Sequence, residues 1–117
     1  MVETTKLPEE FLRGIELFNQ GRFFECHEVW ETIWLKSEGE WREFLHAMIQ
    51  AAAAFHHAQR GNLKGAMSLA RKAICKFEKL PQVVRNFDSD DFCLAIERFL
   101  AEPAGSFPHI SDPDKNS

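Results

Sequence analysis

The sequence predicts an all-α protein, a compact array of about five antiparallel helices. Apolar residues recur at helical spacing along most of the chain, and glycine or proline separates one apolar segment from the next. No stretch of useful length alternates between apolar and polar residues as a strand would. The 117 residues fit one domain with a proper core, and we expect that helical domain to span residues 1–101.

The first two helices follow from Pro8 and Gly21. Pro8 suits the first turn of a helix, and the apolar residues after it keep helical spacing to about Gln20. Gly21 then breaks the helix, and a second helix runs to about Lys36. Along that second helix, rings and ionisable groups share one stripe: Phe23, Phe24, His27, Trp30, Glu31 and Trp34.

Capping residues locate the remaining helices. Ser37 and Glu40 have the spacing of a capping box, so helix three should start there. Its wide apolar surface is typical of a central helix sandwiched between others. Asn62 is the expected N-cap of helix four, which stops before Pro81. Two residues are candidate caps for a shorter fifth helix: Asp88 and Ser89.

Residues 102–117 form a tail that is rich in proline, aspartate and serine. We expect this tail to be extended or disordered, because it has too few apolar residues to bury a core of its own. Phe107 and Ile110 are the residues that can pin part of the tail to the helical body.

Segments that begin at Gly21 and Gly61 resemble each other at an offset of forty residues. Each has an apolar residue two positions after the glycine and a small residue, Cys26 or Ala66, five positions after it. In helical-hairpin repeats, such a pattern lets two antiparallel helices approach closely. The array therefore resembles tetratricopeptide-like hairpins, with Cys26 and Ala66 at matching helix contacts.

Charge and hydropathy exclude several classes of function. The net charge of −4 argues against general affinity for nucleic acid, although residues 60–85 hold seven Lys and Arg against a single acid, Glu78. No run is apolar enough to span a bilayer, and the first residues lack the pattern of a signal peptide. The three cysteines, without metal-ligand spacing, are typical of free thiols in a reducing compartment. We therefore expect a cytoplasmic protein.

The candidate site starts on helix two. His27 and Glu31 are four residues apart and thus share a helix face. Phe24, Trp30 and Trp34 are the candidate walls around them. Because ionisable groups among rings need partners, we expect the His27/Glu31 pair to be enclosed and hydrogen-bonded.

Helix three supplies a second polar stripe that can complete the site. His46, Gln50 and His57 lie on one side of this helix, away from its apolar seam. If helices two and three are antiparallel, as a short connection favours, Gln50 and His57 face the His27/Glu31 pair on helix two. Ala53 is small enough to leave room there for an ion, a water or a small ligand.

The segment HEVWETIW at residues 27–34 resembles the motif of a bacterial and archaeal family of unknown function, defined by HxxxExx(W/Y) on a helix. The resemblance continues through FLHAMIQAAAAFHHAQRGNLKGA at residues 44–66, and so covers about half of the chain. It implies a compact tetratricopeptide-like array and a ligand or metal site at His27 and Glu31, but no reaction. Members often have LxGLIQ where this chain has LHAMIQ, so His46 departs from the pattern.

Two classes of function remain open from the residues. In the first, the chain is a scaffold or interaction domain for a protein partner, a peptide or a second copy of itself, and the His–Glu pair locks the helices together. In the second, His27 and Glu31 bind a divalent metal or a small ligand, with Glu28, Gln50 or His57 as further ligands. A metal-dependent enzyme would need at least three protein ligands, and one histidine with one carboxylate falls short of that.

Overall fold

The computed structural model describes residues 7–103 and 107–111, and it confirms the all-α fold. None of the helices in this part of the chain has both the length and the apolar character that a bilayer crossing requires. The elements in chain order are α1 Glu9–Asn19, α2 Phe23–Trp34, α3 Gly39–Gln59, α4 Leu63–Glu78, β1 Val83–Val84, β2 Phe87–Asp88 and α5 Asp90–Ala101.

Helices α2 and α3 are antiparallel, as their cross-helix hydrogen bonds show. At one end, Gln59 Nε2 donates to the carbonyl of Gly21 over 2.7 Å, which joins the end of α3 to the start of α2. At the other end, Arg42 Nη1 donates to the carbonyl of Trp34 over 3.0 Å. Helix α3 also packs along α4 and supplies more fully buried residues than any other helix that the structure describes. It is the central helix that its wide apolar surface predicts.

The core is built around the indole of Trp30, which is fully buried. Its ring stacks on Phe11 with 5.3 Å between ring centroids and lies 6.2 Å from the ring of Phe18. Its Nε1 donates to the carbonyl of Phe11 over 3.1 Å, so the polar atom of the indole has a partner. Gly14 of α1 lies directly against this ring, and a Cβ at Gly14 would overlap the indole. The close approach of α1 and α2 therefore depends on a glycine opposite a tryptophan.

The turn that begins at Gly21 occurs again forty residues later at Gly61. Both glycines adopt the left-handed backbone conformation, with φ of 77° and 81°. After each glycine, the next backbone N–H bonds to the carbonyl five residues earlier: Arg22 to Leu17 and Asn62 to His57, both over 2.9 Å. This is the Schellman arrangement that ends a helix and redirects the chain. The internal echo in the sequence is thus confirmed as a repeated helix-ending turn.

Cys26 and Ala66 occupy matching places after these two turns, and both are fully buried. Burial raises the pKa of the Cys26 thiol well above its usual range, which suits a small core residue rather than a nucleophile.

Enlarging either residue to leucine is expected to lower the free energy of unfolding by about 1–3 kcal/mol, because a packed helix contact has no room for the added methyl groups. Urea unfolding of Cys26→Leu and Ala66→Leu measures this, and Cys75→Leu on an exposed position is the control. Unchanged midpoints for both core variants would contradict the view that small residues set these contacts.

The predicted caps are correct for α4 and α5 and wrong for α3. Asn62 Oδ1 accepts from the N–H of Gly65 over 3.0 Å, as expected of an N-cap. Ser37 does not cap α3, whose N-cap residue is Glu38 and makes no side-chain cap bond. The Ser37 hydroxyl instead donates to the carbonyl of Ile33 over 2.7 Å, at the end of α2, where it is a second donor beside the N–H of Lys36.

At the start of α5, the work of capping is shared between the two predicted residues. Ser89 is the N-cap residue by backbone position, but its side chain makes no cap bond. The carboxylate of Asp88 accepts from the N–H of Asp90 over 2.9 Å.

A two-stranded hairpin between α4 and α5 corrects the expectation of no sheet. Val83 pairs with Asp88 and Val84 with Phe87 in antiparallel register. The turn between the strands holds Arg85 and Asn86 at positive φ of 49° and 69°, as a tight hairpin turn requires. Each strand has only two residues, which is too short for an alternation of apolar and polar residues to be recognised in the sequence.

The tail is pinned to the helical body at both predicted residues. Phe107 packs against Phe23 and Phe55, with ring centroids 5.4 Å and 5.9 Å away. Ile110 is buried, and its backbone N–H and carbonyl both bond to the side-chain amide of Asn19, over 2.7 Å and 2.8 Å. The expectation of disorder in the remainder of the tail falls on residues 104–106 and 112–117, which lie outside the described residues.

Candidate functional site

A partly open hollow lies between α2, α3 and α4, on the side of α3 where the sequence predicts the polar stripe. Its volume is about 270 Å³. We call it the polar hollow, and it is lined by His27, Glu31 and Trp34 of α2, by His46, Ile49, Gln50 and Ala53 of α3, and by Leu69 of α4.

Helical spacing explains why these side chains converge. On α2, His27 and Glu31 are one turn apart on one face, as the sequence predicts. On α3, His46 and Gln50 are likewise one turn apart. Ala53 follows on the same side, and its small side chain leaves the space between the helices that was expected of it.

Gln50 carries the least satisfied polar atom of the site. Its Oε1 atom is buried and accepts no hydrogen bond from any residue that the structure describes. Leaving a buried acceptor unpaired costs roughly 1–3 kcal/mol. Gln50 therefore lines the polar hollow while its buried acceptor lacks an internal donor.

The prediction of an enclosed, hydrogen-bonded His27/Glu31 pair is wrong. Glu31 is exposed and His27 is half-buried. Within residues 7–103 and 107–111, no hydrogen bond or ion pair joins the two side chains. Glu31 stays at the mouth of the hollow because a carboxylate keeps its hydration there at no cost. The pair therefore does not lock α2 to α3.

Other contacts fix the end of the hollow nearest Trp34. The Arg42 guanidinium lies over the Trp34 ring, 4.1 Å from its centroid. The imidazole of His46 lies beside the same ring at 5.8 Å and an interplanar angle of 25°. Burial lowers the pKa of His46, and the nearby Lys76 cation lowers it further. Both effects favour the neutral form of His46, whose ring can donate one hydrogen bond and accept another.

Four predicted site residues do not line the polar hollow. Glu28 is exposed on the outer face of α2. His57 hydrogen-bonds through Nδ1 to Asn62 at the turn into α4, over 3.1 Å. Two predicted walls face elsewhere: Phe24 is 52% exposed beside His56, and Trp30 belongs to the core.

Three residues of the hollow were missed as members of the site. His46 is one of them, since it was judged a weak candidate on account of its departure from the family pattern. Ile49 and Leu69 are the others, and as apolar residues they gave no signal of their own. Four of the residues that line the hollow were named as candidates from the sequence: His27, Glu31, Trp34 and Gln50.

The side chains do not assemble a metal site. In the described part of the chain, no three His, Cys, Asp or Glu residues lie close enough together to hold one ion. A protein metal site needs about three such ligands. The side chains near His27 and Glu31 therefore do not support the alternative that this pair binds a divalent metal.

Comparison with known proteins finds a matching family and a curated relative. Residues 11–69 match the family described as Domain of unknown function (DUF309). An uncharacterized protein of Aquifex aeolicus (strain VF5) is 25% identical over 84 residues, which cover 71% of this chain and 25% of that protein. The chain thus spans a quarter of the length of the curated relative that it matches.

A solved structure shares the fold. It is the crystal structure of a conserved hypothetical protein from Thermus thermophilus, which is 34% identical to this chain. The two superpose with a TM-score of 0.67 over 76% of this chain and 93% of that one.

Proposed function

This chain belongs to the family Domain of unknown function (DUF309), and from that premise we propose that it is an interaction module whose polar hollow binds a lysine or arginine side chain of a partner protein. The observation that carries the proposal is at Gln50, a residue that lines the hollow and whose buried Oε1 accepts no hydrogen bond from any described residue. A donor brought by a partner would remove that cost.

The other groups of the hollow suit a cationic donor. Glu31 supplies a carboxylate at the mouth, and no cation pairs with it within the described residues. Ammonium and guanidinium groups carry only donors, and their hydrogen bonds to a carboxylate are charge-assisted. Ile49 and Leu69 offer apolar surface for the methylene stem of such a side chain.

The size of the hollow favours a side chain over a larger molecule. Pockets that bury drug-sized ligands measure about 300–1,000 Å³, whereas the polar hollow measures about 270 Å³ and is open on one side. One long side chain fits that space. The match to a quarter of the longer Aquifex protein supports a modular use of the domain, and the free cysteines suit a reducing cytoplasm.

The binding test uses N-acetyl-lysine methylamide as the probe and N-acetyl-norleucine methylamide as its uncharged analogue of similar shape. Amide chemical shifts around His27, Glu31 and Gln50 are expected to move with the lysine probe and to stay in place with the norleucine probe. Glu31→Gln should weaken the response several-fold by removing the carboxylate, while Glu28→Gln, on the same helix but outside the hollow, should leave it unchanged. Equal responses to both probes, or none near the hollow, would refute the proposal.

A measurement of stability tests the role of Gln50 Oε1 in the absence of any ligand. Gln50→Met is expected to raise the free energy of unfolding by about 1–2 kcal/mol, because it replaces an unsatisfied buried acceptor with an apolar group of similar length. The variant should also lose the response to the lysine probe. Destabilisation by Gln50→Met would mean that the amide is part of the structural framework, and the proposal would lose its main support.

A further inference from the structure

A second concavity, of about 410 Å³, lies beside the polar hollow, between α3 and α4. We call it the basic groove. It is lined by Arg71, Lys72, Cys75 and Lys76 of α4, by the C-cap residue Lys79, and by His46 and Gln50 of α3. It is a depression between two helices, so its cations surround a volume that a ligand can enter.

The positive charge of the groove is local and mostly uncompensated. The chain as a whole carries a net charge of −4. Lys76 pairs with Glu43 over 2.7 Å. The other three cations, Arg71, Lys72 and Lys79, are exposed and make no ion pair with any residue that the structure describes.

The helix dipole explains only part of this arrangement. Lysines in the last turn of α4 complement the partial negative charge of a helix C-terminus, which accounts for Lys76 and Lys79. Arg71 and Lys72 lie in the middle of the helix, beyond the reach of that effect. The helix dipole therefore does not explain their place in the groove.

We propose that the basic groove docks an extended, acidic segment of a partner protein, with acidic residues at alternate positions. Lys72, Lys76 and Lys79 share one face of α4, with axial separations of about 6 Å and 4.5 Å at the 1.5 Å rise of a helix. In an extended segment, side chains on one face repeat about every 6.6 Å. This repeat is close to the step from Lys72 to Lys76. It is longer than the step from Lys76 to Lys79, and the flexible four-carbon stem of Lys79 makes up the difference.

The size of the groove favours an acidic peptide over nucleic acid as the ligand. From Arg71 to Lys79, the cations span about 12 Å of helix axis. Affinity for nucleic acid rises with the number of phosphates that Lys and Arg neutralise, and the groove offers only these four cations. The remaining surface, with its net negative charge, repels a long polyanion. The inference stands on the groove alone and does not require the polar hollow to bind anything.

The experiment measures fluorescence anisotropy of two labelled peptides with the full chain. One alternates glutamate and serine, which places every glutamate on one face of an extended chain. The other has the same composition with its glutamates in adjacent pairs, which divides them equally between the two faces. The alternating peptide is expected to bind more tightly, with an affinity that falls as salt is added. Arg71→Glu with Lys72→Glu should weaken its binding at least about tenfold, since two attractive charges become repulsive.

The matched control is Lys36→Glu with Lys64→Glu, two exposed positions outside the groove with the same change in net charge. It should alter binding by less than about twofold. Equal weakening by both double variants would show general electrostatic attraction and overturn the proposal. It would also be overturned by equal affinity for the two peptides, or by tighter binding of a single-stranded oligonucleotide of the same charge. Circular dichroism establishes that both variants are folded.

Discussion

Replacing Trp30 with alanine is expected to lower the free energy of unfolding by about 3–5 kcal/mol, the cost typical of removing a buried aromatic ring. The indole is fully buried, stacks on Phe11 and fills the contact between α1 and α2. The substitution also removes the hydrogen bond that the indole donates to the carbonyl of Phe11. Guanidinium unfolding followed by far-ultraviolet circular dichroism measures the change, because that signal does not depend on the indole.

Trp34→Ala is the comparison for this variant. Trp34 is half-buried at the polar hollow, so its removal should cost clearly less than the removal of Trp30. If the two variants lost similar amounts of stability, the core would not be centred on Trp30.

Gly14→Ala should also be strongly destabilising, although alanine is the better helix former. The added Cβ would overlap the indole of Trp30, which cannot withdraw while it is fully buried and bonded to Phe11. Overpacking of this kind costs about 1–3 kcal/mol and sometimes more, against a gain of about 1 kcal/mol from helix propensity. We expect a net loss of about 2 kcal/mol, measured by urea unfolding.

Gly65→Ala provides the matched helical control. A Cβ at Gly65 would meet the side chain of Asn62, which lies on the surface and can turn away at the cost of its bonds to Gly65 and His57. Gly65→Ala should therefore cost less than Gly14→Ala. The reverse order would show that α1 and α2 separate without difficulty.

The sequence predicts the helices well because their signals are local. Periodic apolar residues define each helix, and the left-handed glycines at 21 and 61 mark the turns between them. The capping prediction at Ser37 failed because a hydroxyl near two helix ends can serve either one. Only the packed structure shows that it bonds to Ile33.

The candidate site was harder to predict, because depth below the surface is not encoded in spacing. Periodicity places His27 and Glu31 on one face, but the tilt and distance of α3 leave Glu31 exposed at the mouth. Trp30 shares that helix yet points into the core. Leu69 joins the hollow from α4, a contact that no pattern on α2 or α3 can indicate. Helical spacing shows on which side of its helix a residue lies. Which residues then come into contact depends on how the helices pack.

The bond between Asn19 and Ile110 sets an order of events in folding. It joins residues 91 positions apart, whereas most helix contacts are between neighbours in the chain. Contacts of short sequence separation form first, since closing a long loop costs more entropy. The helical hairpins should therefore form before residues 107–111 close over Phe23 and Phe55. We expect this segment to cover the two rings last. During synthesis, those rings would stay exposed until residues 107–111 leave the ribosome.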